Sequence, residues 1–182
     1  MLSNDHRDAL QTWALAVLPR ATAYARSLAR DTARAEDLVQ ECLYQLLRRS
    51  DRYDLIAEGI PLLFRAISNR CITQAARERG ILSLDPSTDR QMLELADPQS
   101  WEPELQARGR ELQLAIQKGL EALPEMQRAA VELRALGMDR EQIAGVLEVS
   151  LANAAVLLFR GRKALAAALG LNMAPEKKSD SL

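Results

Sequence analysis

Two helical faces and one basic cluster are the places where side chains of this sequence could recognise a partner. Between residues 35 and 47 a helical period puts Glu36, Asp37, Gln40, Glu41, Tyr44 and Gln45 opposite an apolar stripe, so carboxylates and amides project together. Such a face can pair with Arg and Lys of another protein, and it equally suits a solvated surface near a helix N-terminus. Further on, Arg65, Asn69, Arg70, Gln74 and Arg77 share a cationic side with many hydrogen-bond donors. Arg160, Arg162 and Lys163 form the third group, near the end of a long helical stretch.

None of these groups is a catalytic constellation. The single histidine, His6, has no acid or nucleophile in a matching arrangement, there is no glycine-rich phosphate loop, and no paired carboxylates stand out beyond the acids already named. Cys42 and Cys71 lie far apart on apolar helix positions, which reads as two buried thiols, and no cluster has zinc-ligand spacing. The chain is therefore expected to be no enzyme, with no metal and no cofactor. It shows no secretory signal and no apolar run long enough to cross a bilayer, so the expected location is the cytoplasm, without membrane insertion.

Leu, Ala, Glu, Gln and Arg dominate the 182 residues, with few aromatics, and no strand-like alternation persists. That predicts an all-α protein. With a formal net charge of -1 any basic surface must be local. Leu10, Trp13, Val17, Leu18, Ala21, Tyr24, Ala25 and Leu28 predict a first helix that Pro19 breaks or kinks. After Asp31, a cap, Ala35, Leu38, Val39, Cys42, Leu43, Leu46 and Leu47 make the stripe of a second. A loop with Asp51, Asp54 and Gly59 then precedes Pro61, placed at the start of a third helix that runs to about Arg79 with Ile60, Leu63, Phe64, Ile67, Cys71 and Ala75 on its core face.

The period is lost between about Gly80 and Trp101, where Pro86, Pro98 and several Asp and Ser residues read as an acidic linker. A second helical block begins near Glu104 with Leu112, Ile116, Leu120 and Leu123 as its apolar positions. A new helix starts at Pro124 and stops at Gly137. Ile143, Ala144, Val146 and Leu147 then give a short helix, Glu148 and Val149 a bend, and Ser150 the cap of a longer helix reaching about Leu169: a helix-turn-helix, with its second helix offered to the major groove. The expected division is 1–80 and 104–171 as two small helical domains, 81–103 as linker and 172–182 as a disordered tail.

In order, ARAEDLVQECLYQLLRR, PLLFRAISNRCITQAARERG and ALPEMQRAAVELRALGMDREQIAGVLEVS resemble the motifs of bacterial RNA polymerase sigma factors of the extracytoplasmic-function type. The resemblance covers most of the chain. It implies a transcription initiation factor whose partners are core RNA polymerase, promoter DNA and an anti-sigma factor. Asp37, Gln40 and Glu41 match the polymerase-docking face. Asn69 matches a position that holds a promoter base of the -10 element flipped out of the stack, with Arg65, Arg70 and Arg77 beside it; Ser150, Asn153, Arg160, Arg162 and Lys163 fall in the upstream DNA-binding helix.

Three departures qualify the pattern. Leu62 stands where the family has an aromatic residue, Ala155 and Leu157 stand where it places Lys or Arg, and Glu148 occupies a turn position often given to Gly. The missing charges at Ala155 and Leu157 keep a second reading open, a sigma-like decoy that binds polymerase or an anti-sigma partner without reading DNA. A stand-alone helix-turn-helix repressor leaves the first domain unexplained.

Overall fold

Helix α1 (Asn4–Ala29) buries Leu10, Trp13, Val17, Ala21, Tyr24, Ala25 and Leu28, at steps of three and four apart from the adjacent pair Tyr24 and Ala25, along a single face. The computed structural model describes the backbone of residues 4–29, 31–81 and 103–171. Pro19 does not break α1, which runs through it. The carbonyl that loses its helical donor there is that of Leu15, whose side chain is among the exposed large hydrophobics, so the missing bond falls on the solvent side.

Asp31 caps α2 (Thr32–Leu47), its carboxylate accepting the Arg34 backbone N–H at 3.1 Å. Ala35, Val39 and Cys42 are buried, with Leu38, Leu43, Leu46 and Leu47 packed at the margin of the core. α3 (Leu55–Ile81) begins a turn and a half before the expected start at Pro61. Asp54 accepts the N–H groups of Ile56 and Ala57, both at 3.1 Å, and so starts the helix earlier than Pro61 can. Gly59, expected in a loop, is helical instead. A Cβ there would lie 2.4 Å from a ring carbon of Trp13, so only glycine lets α3 approach the indole this closely.

Against α1, α3 places Leu63, Phe64, Ile67 and Cys71 in the core together with a fully buried serine, Ser68. The Ser68 hydroxyl donates to the Phe64 carbonyl at 2.7 Å, which leaves the Tyr24 hydroxyl to donate to Ser68 Oγ at 2.7 Å. Every buried polar group in this chain of bonds has a partner. Burial pushes the Tyr24 phenol well above its usual range.

The second block contains α4 (Pro103–Glu121), α5 (Glu125–Ala135), α6 (Arg140–Leu147) and α7 (Leu151–Ala168). No strand occurs among the described residues, and the fold is all-α as expected. Gly137, at φ 90°, ends α5, and the Met138 N–H returns to the Leu133 carbonyl at 3.1 Å. Asp139 and Gln142 form a reciprocal cap at the start of α6. Leu112, expected inside, is exposed on α4. The expected linker, 81–103, lies outside the described residues apart from its two ends, Ile81 in α3 and Pro103 in α4, and the expected tail over 172–182 lies outside them altogether.

The two helical domains share one core. α1 and α3 pack against α5, and α3 lies along α6. At the centre of the join is Arg128, fully buried, whose guanidinium donates to the carbonyls of Leu120 (2.7 Å), Glu121 (2.8 Å), Leu123 (3.0 Å) and, across the join, Ser27 (3.2 Å). Removing it takes a donor from the Glu121, Leu123 and Ser27 carbonyls, while Leu120 keeps the Leu123 N–H, so Arg128→Met is expected to cost about 3 kcal/mol in urea denaturation. Arg128→Lys should recover only part of that, because one ammonium cannot reproduce the planar fork. Equal stability of Arg128→Met and the parent chain would contradict this assignment.

Candidate nucleic-acid and polymerase interface

The amphipathic pattern of α2 leaves Asp37, Gln40 and Glu41 exposed on one face, as the stripe of Ala35, Val39 and Cys42 turns the other side inward. Tyr44 continues this face and is exposed as well, with the Arg48 guanidinium 5.7 Å from its ring centre. Glu41 is not isolated: it accepts from Gln45 at 2.8 Å and stands 3.8 Å from Arg70 on α3. The acidic face of α2 and the cationic face of α3 therefore meet along one edge.

On α3, Arg65, Asn69, Arg70 and Arg77 all point outward, because Leu63, Phe64, Ile67 and Ser68 hold the opposite side in the core. Arg65 and Asn69 are one turn apart and both meet the same group. Asn69 donates from its amide to Glu148 Oε2 at 3.0 Å, and Arg65 lies 3.7 Å from Glu148 Oε1. The acceptor comes from the turn of the helix-turn-helix, and its pairing with α3 has no signal in sequence beyond the unusual Glu at that position.

Glu148 is the one non-glycine residue at positive φ among the described residues, at φ 54° and ψ 42°. The left-handed conformation lets its N–H and that of Val149 both return to the Ala144 carbonyl, closing α6 before Ser150 opens α7. Ser150 Oγ accepts the Asn153 N–H at 3.2 Å, so this hydroxyl serves as a helix cap. Asn153, Arg160, Arg162 and Lys163 are exposed along α7.

Leu157 and Leu62 both pack at the margin of the core. Their apolar character thus has a structural use, and neither side chain is fully presented to solvent. The open face of α7 instead carries Leu151, Ala152, Val156 and Phe159 among its polar residues, with Phe159 60% exposed. Gly161 lies where α7 crosses α5: a Cβ would come within 2.6 Å of Val131 and 3.1 Å of the Gln127 carbonyl.

A further set of contacts has no signal in the sequence. Glu132 on α5 accepts from the Ser27 hydroxyl of α1, and Arg20 of α1 donates to the Leu136 carbonyl at 2.6 Å. Burial pushes the Glu132 carboxyl up from its ordinary value, opposed by the Ser27 hydrogen bond and the nearby Arg128 charge. Together with Arg128 these groups join the two domains.

Among the described residues no group of His, Cys, Asp and Glu could hold a metal ion, and no single helix is long and apolar enough to cross a membrane. Both cysteines are buried. Burial pushes the Cys42 thiol up and the Cys71 thiol up to about 12.

Residues 8–81 match the family model described as Sigma-70 region 2, and residues 113–165 match that described as Sigma-70, region 4. No curated protein sequence matches the chain. A solved structure titled as the co-crystal structure of the sigma factor RpoE in complex with the anti-sigma factor NepR, from Bartonella quintana, is similar in fold. Its TM-score is 0.71 at 24% identity, over 94% of this chain and 100% of that one.

The raised thiols carry one prediction. Since the thiolate is the reactive form, native protein should react with an aromatic disulfide reagent at pH 8 far more slowly than urea-unfolded protein at both Cys42 and Cys71. Rapid release of two equivalents from the native chain would mean that α2 and α3 do not enclose them.

Proposed function

Because the chain belongs to the sigma-70 family of transcription initiation factors, in its two-domain extracytoplasmic-function type, we propose a division of labour between its two matched regions. Core RNA polymerase and promoter DNA are the partners of such a factor. The first domain docks on polymerase through Asp37, Gln40 and Glu41, and its α3 captures a separated strand through Asn69 with Arg65, Arg70 and Arg77 alongside. The second domain rests on upstream duplex through α7, where Asn153, Arg160, Arg162 and Lys163 are exposed beyond the Ser150 cap.

The observation that carries this reading is that one compact domain turns two different recognition faces outward from a shared core. Carboxylates on α2 suit a cationic protein partner, and they are held rigidly by the buried stripe beneath them. The amide of Asn69 offers a donor and an acceptor to a base edge, while the arginines beside it neutralise phosphates. No bond is made or broken by the factor. Strand separation is driven by binding: trapping an unstacked base offsets the few kcal/mol needed to extrude it.

We also infer an anti-sigma partner, by likeness to the solved chain, whose title names one. Exposed Val156 and Phe159 give such a protein an apolar surface to cover. A sigma-like decoy is the competing reading, favoured by Ala155 and Leu157 standing where basic residues would be expected.

In vitro transcription with purified core polymerase over fragmented genomic DNA tests the proposal. Transcripts from defined start sites are expected; a holoenzyme that assembles but initiates nowhere would support the decoy. Asn69→Ala should lower open-complex formation by about tenfold, the loss of roughly 1–3 kcal/mol typical of a base contact, and leave polymerase binding intact. Loss of both together would remove Asn69 from the DNA-contacting set. Reversing Asp37 and Glu41 to Arg should weaken association with core polymerase by at least about tenfold. An unchanged pull-down would count against the docking face.

A further inference from the structure

Between the end of α1, the first turns of α2 and the last turns of α3 lies an open cavity of about 470 Å³. Leu28, Leu38 and Ala75 give it an apolar floor, and carboxylates stand at its mouth: Asp37 from α2, Glu78 from α3 and Glu125 from the first turn of α5. Among the described residues Arg34 is the one cation in the lining, and it is engaged: its Nη1 donates to Glu78 Oε1 at 3.0 Å, and its Nε lies 3.8 Å from Asp31. We propose that this cavity is a socket for one basic side chain of core RNA polymerase, an arginine or lysine whose aliphatic stem lies along Leu28, Leu38 and Ala75 and whose charge meets Asp37 and Glu78. The proposal rests on the reading of α2 as the polymerase-docking face.

Charge, shape and position select this guest. Three carboxylates against one guanidinium leave the mouth with an excess of negative charge. Asp37 makes no hydrogen bond or ion pair among the described residues, so both its oxygens can accept from a cation. An apolar floor beneath acids does not suit a bare metal ion, which needs oxygen ligands all round. It suits a long side chain that is apolar along its stem and charged at its tip. The volume falls within the roughly 300–1,000 Å³ of cavities that enclose a ligand group. Asp37 also stands on the α2 face beside Gln40 and Glu41, so a protein laid on that face covers the opening.

The empty socket is already shaped for its guest. Arg34 and Gln74 both donate to Glu78 Oε1, at 3.0 Å each, which orients the carboxylate and leaves Oε2 to accept from an incoming cation. The Arg34 and Glu78 side chains are 63% and 44% exposed, and an exposed pair of this kind is weak enough to share its carboxylate. Glu125 is the one part of the lining that comes from the second domain. The floor, Asp37 and Glu78 therefore stay together when the two domains separate.

The test measures binding of the full chain and four single variants to purified core polymerase. Ala75→Leu fills the floor with another strong helix former and should weaken binding roughly five- to tenfold, as when an interface side chain loses its seat. Glu78→Gln keeps an oxygen for Arg34 and Gln74 but loses the charge; it should bind roughly two- to fivefold more weakly, with the loss shrinking as salt is raised. Glu58→Gln removes a charge from the other end of α3 and should bind as the parent does. Glu41→Arg, on the docking face outside the cavity, reports on the docking reading itself. Weaker binding of Glu41→Arg with parent-like binding of either Ala75→Leu or Glu78→Gln would overturn the socket and leave the docking face standing. Parent-like binding of Glu41→Arg would overturn the docking reading and the socket with it. Equal losses in Glu78→Gln and Glu58→Gln would reduce the effect to net charge and also overturn the proposal. Should circular dichroism show that Ala75→Leu has lost helix, Glu78→Gln against Glu58→Gln decides alone.

Discussion

A guanidinium without solvent access organises the relation between the two halves of this protein. Arg128 is always charged, and a buried cation is tolerated only when its donors are occupied. Here the occupants are carbonyls at the end of α4 and the corner before α5, a region where a helix runs short of backbone donors, plus the Ser27 carbonyl from α1; of these the Leu120 carbonyl also accepts the Leu123 N–H. Pro124 helps place it, since its carbonyl accepts from both Gln127 and Arg128 and so begins α5 with the right phase. One residue therefore closes a corner within the second domain and ties that corner to the first.

From this join follows an arrangement with a strong centre and a weak rim. Apolar residues of α1 and α3 share a core with those of α5 and α6, while the polar contacts around it include exposed ones such as Arg20 to Leu136 and Asn69 to Glu148. Interfaces between domains of one chain commonly move, and exposed polar rims set which other partners compete for the same surface. On the proposed reading, the two domains must separate to engage separated strand and duplex at once.

Much of this fold can be read from apolar spacing. The stripes of α1 and α2, the core residues of α3 from Leu63 to Cys71 and the short buried face of α6 all follow the helical period, and Asp31 and Ser150 cap where their chemistry suggests. Other features follow from contacts distant in sequence. Pro61 looks like a helix start until Asp54 is seen to begin α3 earlier, and Leu112 looks buried until its helix is seen to leave it exposed. Ser68 and Arg128 are polar residues buried only because Tyr24, Phe64 and four carbonyls happen to surround them. Periodicity reports which face is apolar. It carries no record of which domain that face will meet.

The apolar character of α7 bears on where selectivity resides. Leu157 is turned toward the core and cannot present a charge to DNA, while Leu151, Val156 and Phe159 occupy much of the open face. What remains cationic there is the cluster of Arg160, Arg162 and Lys163, suited to phosphates. Phosphate contacts fix register on a duplex and contribute salt-dependent affinity, but they do not distinguish base pairs. If α7 supplies chiefly position, sequence discrimination falls to the strand held by α3, where an amide can test a base edge that no duplex would expose.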